Sequence, residues 1–301
     1  MATYFEIGLW GRDEQYLQGV AQDAFEEIHR IEGQLSIYRD DTDIYELNAL
    51  AAKRPVTLDP RVFNLLRHAK QLSGETGGAF DITVAPLVRA WGFMGASGSM
   101  ADSEAVEKAR EIVGFDKVEL DESSFTAHYT REGVMVDLGA IGKGYALDQV
   151  AELIRDYEVP GGIVHGGTSS VATVGTRPDG SAWPIAIQDP TDSAQSLGIV
   201  NLKDSSLSVS ALHGKFFTQG DSRYGHVIDP RSGQPVQNAL LAAIACPSAT
   251  ESDALSTALL IEGESLLDAL AKRPSLSALV ALPEPGGGMR IVIQGDAFQP
   301  S

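Results

Sequence analysis

The chain has 301 residues, 43% hydrophobic and 21% charged, the make-up of a globular protein with a sizeable core in one large or two modest domains. With 23 Lys and Arg against 41 Asp and Glu, its formal net charge of −18 argues against broad binding to nucleic acid or an anionic membrane. The single cysteine, Cys246, excludes an intrachain disulfide and thiol-based zinc sites, and no apolar run approaches the roughly 20 residues of a membrane span.

The pattern predicts a strand over Thr3–Trp10, then a long helix over Asp13–Ile37, with Leu17, Val20, Ala21, Ala24, Phe25, Ile28 and Ile31 at helical spacing. A polar turn-like stretch leads to a short helix carrying Leu47. A second amphipathic helix is expected over Asp59–Thr76, with Pro60 as its first residue and Gly77-Gly78 as its stop. Ala79–Phe93 is apolar, Gly95–Met100 a small loop, and Asp102–Val113 a third helix. Strands dominate from there: Lys117–Leu120, Thr126–Tyr129, Gly133–Leu138, Gly162–His165, Ser170–Thr176, Trp183–Gln188, Leu197–Leu202, Ser206–Ser210, Lys215–Thr218, His226–Ile228 and Leu240–Cys246. Helices over Ser252–Ile261 and Ser265–Lys272 and strands over Ala278–Leu282 and Met289–Gln294 close the chain. Long helices stand apart from runs of strands, without βαβ alternation, which predicts an α+β fold with mixed or antiparallel sheets flanked by helices. One functional unit is expected over 1–301, with sub-halves 1–98 and 99–301 as its best division.

Four stretches carry polar groups in arrangements that suit chemistry. Asp137 precedes a loop with Gly139, Gly142, Lys143 and Gly144, followed by an amphipathic helix. Glycines let backbone N–H groups approach an anion and the lysine adds charge. The spacing is neither that of a Walker A loop nor of a dinucleotide fingerprint. A tight turn with a solvated lysine accounts for it equally well. Asp253 and Thr257 are four apart and share a helical face, half of a hard-cation site suited to Mg²⁺. On that stretch alone, a helix cap running from Thr250 to Asp253 is preferred. His226 opens an apolar run beside the turn Asp229-Pro230, where a general base or a structural histidine both fit. Gly77-Gly78-Ala79-Phe80-Asp81 reads as a ring-binding pocket or as a helix C-cap before a buried phenylalanine.

Taken together and in order, GGAFDITVAPLVRAWGF, VDLGAIGKGYALDQVAEL, YGHVIDPRSGQPV and ESDALSTALLIEG resemble the FAD:protein FMN transferase family, the ApbE-like flavin transferases. SIYRDDTDIYELN and the opening MATYFEI resemble that family's N-terminal motifs, so the likeness spans residues 1 to about 283. The resemblance implies an ApbE-like α+β fold with an FAD site between two sub-halves. It implies Mg²⁺-dependent transfer of FMN from FAD to a threonine or serine hydroxyl of a target flavoprotein, with release of AMP. It places the metal on the Ala140 carbonyl, the Asp253 carboxylate and the Thr257 hydroxyl. FAD contacts fall on Met1, Tyr38, Ala79, Phe80, Asp81, Asp137, Lys143, His226, Val227 and Ile228, with His226 at the position of the catalytic base. The loop's anion would then be the FAD pyrophosphate, neutralised by Mg²⁺, Lys143 and the helix N-terminus.

Some motifs depart from the family's pattern. Ile141-Gly142-Lys143-Gly144 stands for I-A-K-G and keeps the lysine. Thr42-Asp43 stands for S-E. Gly166-Gly167-Thr168 stands for G-G-D and Ser210-Ala211-Leu212 for S-G-D/N, changes that bear on acceptor or flavin preference more than on catalysis. Two other activities use the same motifs: an FAD diphosphatase, in which water replaces the acceptor hydroxyl, and a non-catalytic FAD-binding protein. No D-G-x-[ST]-[GAS]-[AS]-T stretch occurs, so self-flavinylation at such a site is not expected. The resemblance implies that the acceptor is another protein. The sequence as it stands predicts a cytoplasmic protein, or an exported or lipid-anchored one if a leader precedes Met1.

Overall fold

The computed structural model describes residues 3–11, 13–95, 97–212, 216–220, 222–286 and 288–300. In chain order its helices are α1 Glu14–Leu35, α2 Asp43–Leu50, α3 Pro60–Glu75, α4 Ala85–Ala90, α5 Ser103–Arg110, α6 Gly142–Asp156, α7 Ala249–Glu262 and α8 Leu267–Leu270. Its strands are β1 Phe5–Trp10, β2 Val56–Thr57, β3 Val118–Asp121, β4 Thr126–Tyr129, β5 Gly161–Gly166, β6 Ser170–Gly175, β7 Trp183–Gln188, β8 Ser196–Leu202, β9 Ser206–Ala211, β10 Phe216–Gln219, β11 Ser222–Gly225, β12 Leu241–Cys246, β13 Ser277–Glu284, β14 Gly288–Gln294 and β15 Phe298–Pro300. The fold is α+β with antiparallel sheets, as the element pattern predicts.

Two compact units share the chain. The first takes residues 1–32, 141–211 and 239–301. Its centre is a seven-stranded sheet in the order β1-β5-β6-β9-β12-β13-β14. One face packs against helices, with Val20, Ala24 and Ile28 of α1 and Leu147, Val150 and Ile154 of α6 over Val164, Ala172 and Val174. The other face meets the small sheet β15-β8-β7 through Ile187, Val200, Leu202 and Phe298 against Leu207, Leu241, Ala243 and Leu279. Covered on both faces, β12 is buried at every position, which is why LAAIAC reads as a continuous apolar run without alternation. The helix α7 is likewise buried nearly all round, polar residues included, so each buried polar group in it requires a partner.

The second unit takes residues 33–140 and 212–238. Thr42 caps α2 by accepting the Tyr45 N–H at 3.1 Å. Asp59 caps α3, Pro60 is its first residue, and Gly77 and Gly78, with φ of 58° and 80°, end it in the left-handed region. The sheet β2-β4-β3 and the hairpin β10-β11 complete the unit.

Two expected strands are absent. Gly133–Leu138 joins no sheet; the Asn48 amide instead pairs Val136 at both its N–H and its carbonyl, 2.9 Å each, and Asp137 N–H donates to Ile82 O at 2.7 Å. A side chain and a helical turn satisfy backbone groups that a ladder would otherwise hold. In His226–Ile228 the chain bends at His226, and Ile228 makes only an isolated bridge to Pro235.

Candidate active site

The first unit brings Lys143 and Asp253 together. The helix α6 starts at Gly142 with no side-chain cap from its own preceding residues. The Asp253 carboxylate, on α7, takes that role: Gly144 N–H donates to Oδ2 at 3.0 Å, and Lys143 Nζ lies 2.9 Å from Oδ1 and 3.2 Å from Oδ2. Ser170 Oγ lies 3.4 Å from Oδ1. Asp253 is only 4% exposed. The anion held within the chain by the Gly142–Gly144 turn is therefore a carboxylate.

Capping is reciprocal. Asp148 of α6 accepts the Ala249 N–H at 2.7 Å, the Thr250 N–H at 2.8 Å, and the Ser248 and Thr250 hydroxyls at 2.8 and 2.6 Å. All four donors lie at the start of α7. The expected cap from Thr250 to Asp253 is corrected here: α7 begins earlier, Ser248 is its N-cap, and Ser248 Oγ accepts the Glu251 N–H at 3.2 Å. Ser248 and Glu251 have capping-box spacing themselves. Asp253 then falls in the second turn, where its carboxylate is released from its own helix end. Gly144 is required by contact: a Cβ there would lie 2.0 Å from Ala249 O.

Thr257 is half-buried on the same face of α7 as Asp253. Its hydroxyl lies 3.3 Å from the Asp253 carbonyl and 3.3 Å from Ser210 Oγ. The Asp253 carboxylate, which the Lys143 ammonium already neutralises, stands on the same helical face as this hydroxyl. Among the described residues no three His, Cys, Asp or Glu side chains cluster to cage a metal. One carboxylate with hydroxyl and carbonyl oxygens suits Mg²⁺, which binds few protein ligands and completes its shell with water and substrate phosphates. The donor set fits that ion.

The other expected residues, Met1 apart, belong to the second unit. Ala140 is half-buried in the turn immediately ahead of Gly142. Burial pushes the Asp137 carboxyl up from its ordinary range, against the Gly139 N–H that donates to it at 2.9 Å. Tyr38 is 70% exposed, and its phenol is raised by partial burial and by the nearby Asp137 charge. The Ala79 and Phe80 side chains are fully buried. Asp81 caps the short turn Ile82–Val84 through the Thr83 N–H at 2.8 Å and Thr83 hydroxyl at 2.7 Å. Burial raises its carboxyl despite these bonds. Asp81, Gly77 and Gly78 line an open cleft of about 690 Å³ with Lys70, Gly114 and Phe115. Met1 lies outside the described residues.

His226 follows the hairpin β10-β11. Phe217 and Tyr224 stack across that hairpin at 5.2 Å, and both rings stack on Trp91. Phe93 meets the His226 imidazole edge-on, with centroids 6.5 Å apart. The half-buried histidine thus leaves a hairpin held by aromatic packing. Val227 O accepts the Val236 N–H at 2.9 Å, and Ile228 is buried with Leu87 and Trp91.

Sequence reasoning did not single out Asp148 or Ser170, and it noted Ser210 only as part of a motif departure. A signal for Ser210 was present. Ser206, Ser208 and Ser210 alternate along β9, and Ser252 and Ser256 are four apart on α7, so two serine faces meet at 2.9 Å for Ser208–Ser252 and for Ser210–Ser256.

The sequence model of the ApbE family matches residues 1–280. A protein of Klebsiella pneumoniae (strain 342) named FAD:protein FMN transferase is 31% identical over 243 residues, 80% of this chain and 73% of the relative. Another of that name from the same organism is 26% identical over 293 residues, 95% of this chain and 83% of the relative. The apo flavinyl transferase ApbE of Pseudomonas stutzeri superposes with a TM-score of 0.83 at 28% identity, over 96% of this chain and 90% of that one. The flavin transferase ApbE of Vibrio cholerae does so at 0.82 and 27%, over 97% and 94%. A match along nearly the whole length, in sequence and in fold, places this chain in the ApbE family.

Proposed function

We propose that this protein transfers the FMN moiety of FAD to a threonine or serine hydroxyl of a target flavoprotein, with AMP as the leaving group. The observation that carries the reading is the buried Asp253 carboxylate, held by Lys143 and sharing a helical face with the Thr257 hydroxyl, within a chain of this family. The oxygens assigned to Mg²⁺ are the Ala140 carbonyl, the Asp253 carboxylate and the Thr257 hydroxyl. When bound, the ion supplies neutralising charge for the non-bridging oxygens of the FAD pyrophosphate.

The chain's own residues do the rest. Lys143 adds a second positive charge for the pyrophosphate. Tyr38, Ala79–Asp81, Asp137 and the His226–Ile228 stretch are assigned to binding FAD. His226, as neutral imidazole, takes the proton of the acceptor hydroxyl while that oxygen forms a bond to the FMN phosphorus. The bond from that phosphorus to the bridging oxygen breaks, and AMP leaves with the bridging oxygen. General-base help of this kind contributes about 10²–10⁴-fold. An exposed Tyr38 and a carboxyl at Asp137 tuned by burial are consistent with residues that await a ligand.

The test is incubation with FAD and Mg²⁺, with and without an acceptor domain carrying D-G-x-[ST]-[GAS]-[AS]-T. An acceptor mass gain equal to FMN, with equimolar AMP, is expected. AMP with free FMN and no mass gain identifies a diphosphatase instead, and bound FAD with no AMP identifies a binding protein. Asp253→Ala is expected to abolish Mg²⁺-dependent AMP release.

A further inference from the structure

Of the groups that bond the Asp253 side chain among the described residues, only Lys143 carries a charge; Gly144 brings a backbone N–H and Ser170 a hydroxyl. The ammonium straddles the carboxylate, 2.9 Å from Oδ1 and 3.2 Å from Oδ2. Mg²⁺ approaches a carboxylate oxygen to about 2.0–2.1 Å. Whichever Asp253 oxygen takes the ion, Lys143 is the like charge beside it, in a place largely closed to screening water. The Gly144 N–H is fixed by the backbone of α6, whereas the Lys143 Nζ ends a flexible four-carbon stem and can swing away.

We infer that Lys143 and Mg²⁺ compete for Asp253: the ammonium holds the carboxylate until the ion displaces it. The inference rests on the metal assignment made above and gives Lys143 two partners in succession, Asp253 before the ion binds and the FAD pyrophosphate after. Mg²⁺ and FAD then strengthen each other's binding, because each draws the same ion pair apart, one from the carboxylate side and the other from the lysine side.

Mn²⁺, a paramagnetic ion that shares the oxygen preference of Mg²⁺, is titrated without FAD and followed by electron paramagnetic resonance, with Asp253→Asn as the control for the site. Lys143→Met is expected to bind Mn²⁺ about tenfold or more tighter than the wild type, and Mg²⁺ to displace it. A partner that only supports a ligand has the opposite sign, since its loss weakens metal binding about 10–100-fold. A second measurement needs the wild type alone, so it stands even if Lys143→Met does not fold. Acetylation of Lys143 by acetic anhydride, read by peptide mass spectrometry, is expected to speed up severalfold at saturating Mg²⁺. Weaker or unchanged Mn²⁺ binding by Lys143→Met overturns this inference alone, and so does an acetylation rate that saturating Mg²⁺ leaves unchanged or lowers. Mn²⁺ binding that Asp253→Asn leaves intact overturns the metal assignment and this inference with it.

Discussion

Lys143 and Asp253 differ in how far each has left water: the lysine side chain is 21% exposed and the aspartate 6%. Removing the lysine therefore strands a charge that the remaining Gly144 N–H cannot balance. Lys143→Met is expected to destabilise the chain by about 3 kcal/mol, the scale for breaking a buried pair from one side. Lys143→Met with Asp253→Asn together is expected to lose much less, which urea unfolding of the two variants checks. Carboxyls elsewhere respond to pH in opposite directions. At Asp229 burial opposes ionisation, but the Arg231 guanidinium and N–H prevail and hold its carboxyl below the ordinary 3.8. A folded value below the unfolded one contributes stability above pH ~4 that is lost as pH falls through the folded value. The stability gap between wild type and Asp229→Asn is thus expected to narrow between pH 5 and pH 3. Asp81 and Asp137, raised by burial, carry the other sign: their contribution is present in acid and lost as pH rises through their folded values.

Between α6 and α7, each helix carries the carboxylate that caps the other, and Gly144 lets them touch. Replacing a helical glycine by alanine ordinarily gains about 1 kcal/mol. Here the added Cβ would lie 2.0 Å from the Ala249 carbonyl, inside any allowed contact. Gly144→Ala is therefore expected to destabilise by about 1–3 kcal/mol or more, as overpacking does, and a fall in Tm checks the sign. This is also the scale at which sequence reading succeeds and fails. Period and capping chemistry are local, so α3, with Pro60 at its start and Gly77-Gly78 at its end, is legible residue by residue. Gly133–Leu138 has the apolar make-up of a strand, yet its backbone partner is the side chain of Asn48, far back in the chain. Asp253 looks like a cap residue for the helix it belongs to and caps a different one. The residues of the proposed site were legible as motifs. Their hydrogen-bond partners, set by tertiary contact, were not.

At the scale of the whole molecule, the compact units are built from separated segments, and no linker or shift in composition marks where the chain passes from one to the other. Cys246 reports on the larger sheet. It lies at the end of β12, and burial pushes its thiol up to about 12, with the Glu251 charge adding to the effect. A thiol so protonated and enclosed is inert in the native state. Its labelling by a thiol reagent at pH 8 is expected to require opening of the sheet, so the labelling rate across a urea series should track global unfolding measured by circular dichroism. Among the described residues no helix is long and apolar enough to cross a membrane.

The seven-stranded sheet runs β1, β5, β6, β9, β12, β13, β14 from edge to edge, which is also the order in which a ribosome makes those strands. Each newly emerged strand can therefore dock on the one synthesised just before it, and the sheet can lengthen at a single growing edge without inserting a strand between two already paired. The exception in time is β1, whose partner β5 lies beyond α2 to α5 in the chain. Until Gly161–Gly166 leaves the exit tunnel, Phe5–Trp10 carries an unsatisfied edge, and that interval is when the nascent chain is most open to chaperone capture or mispairing.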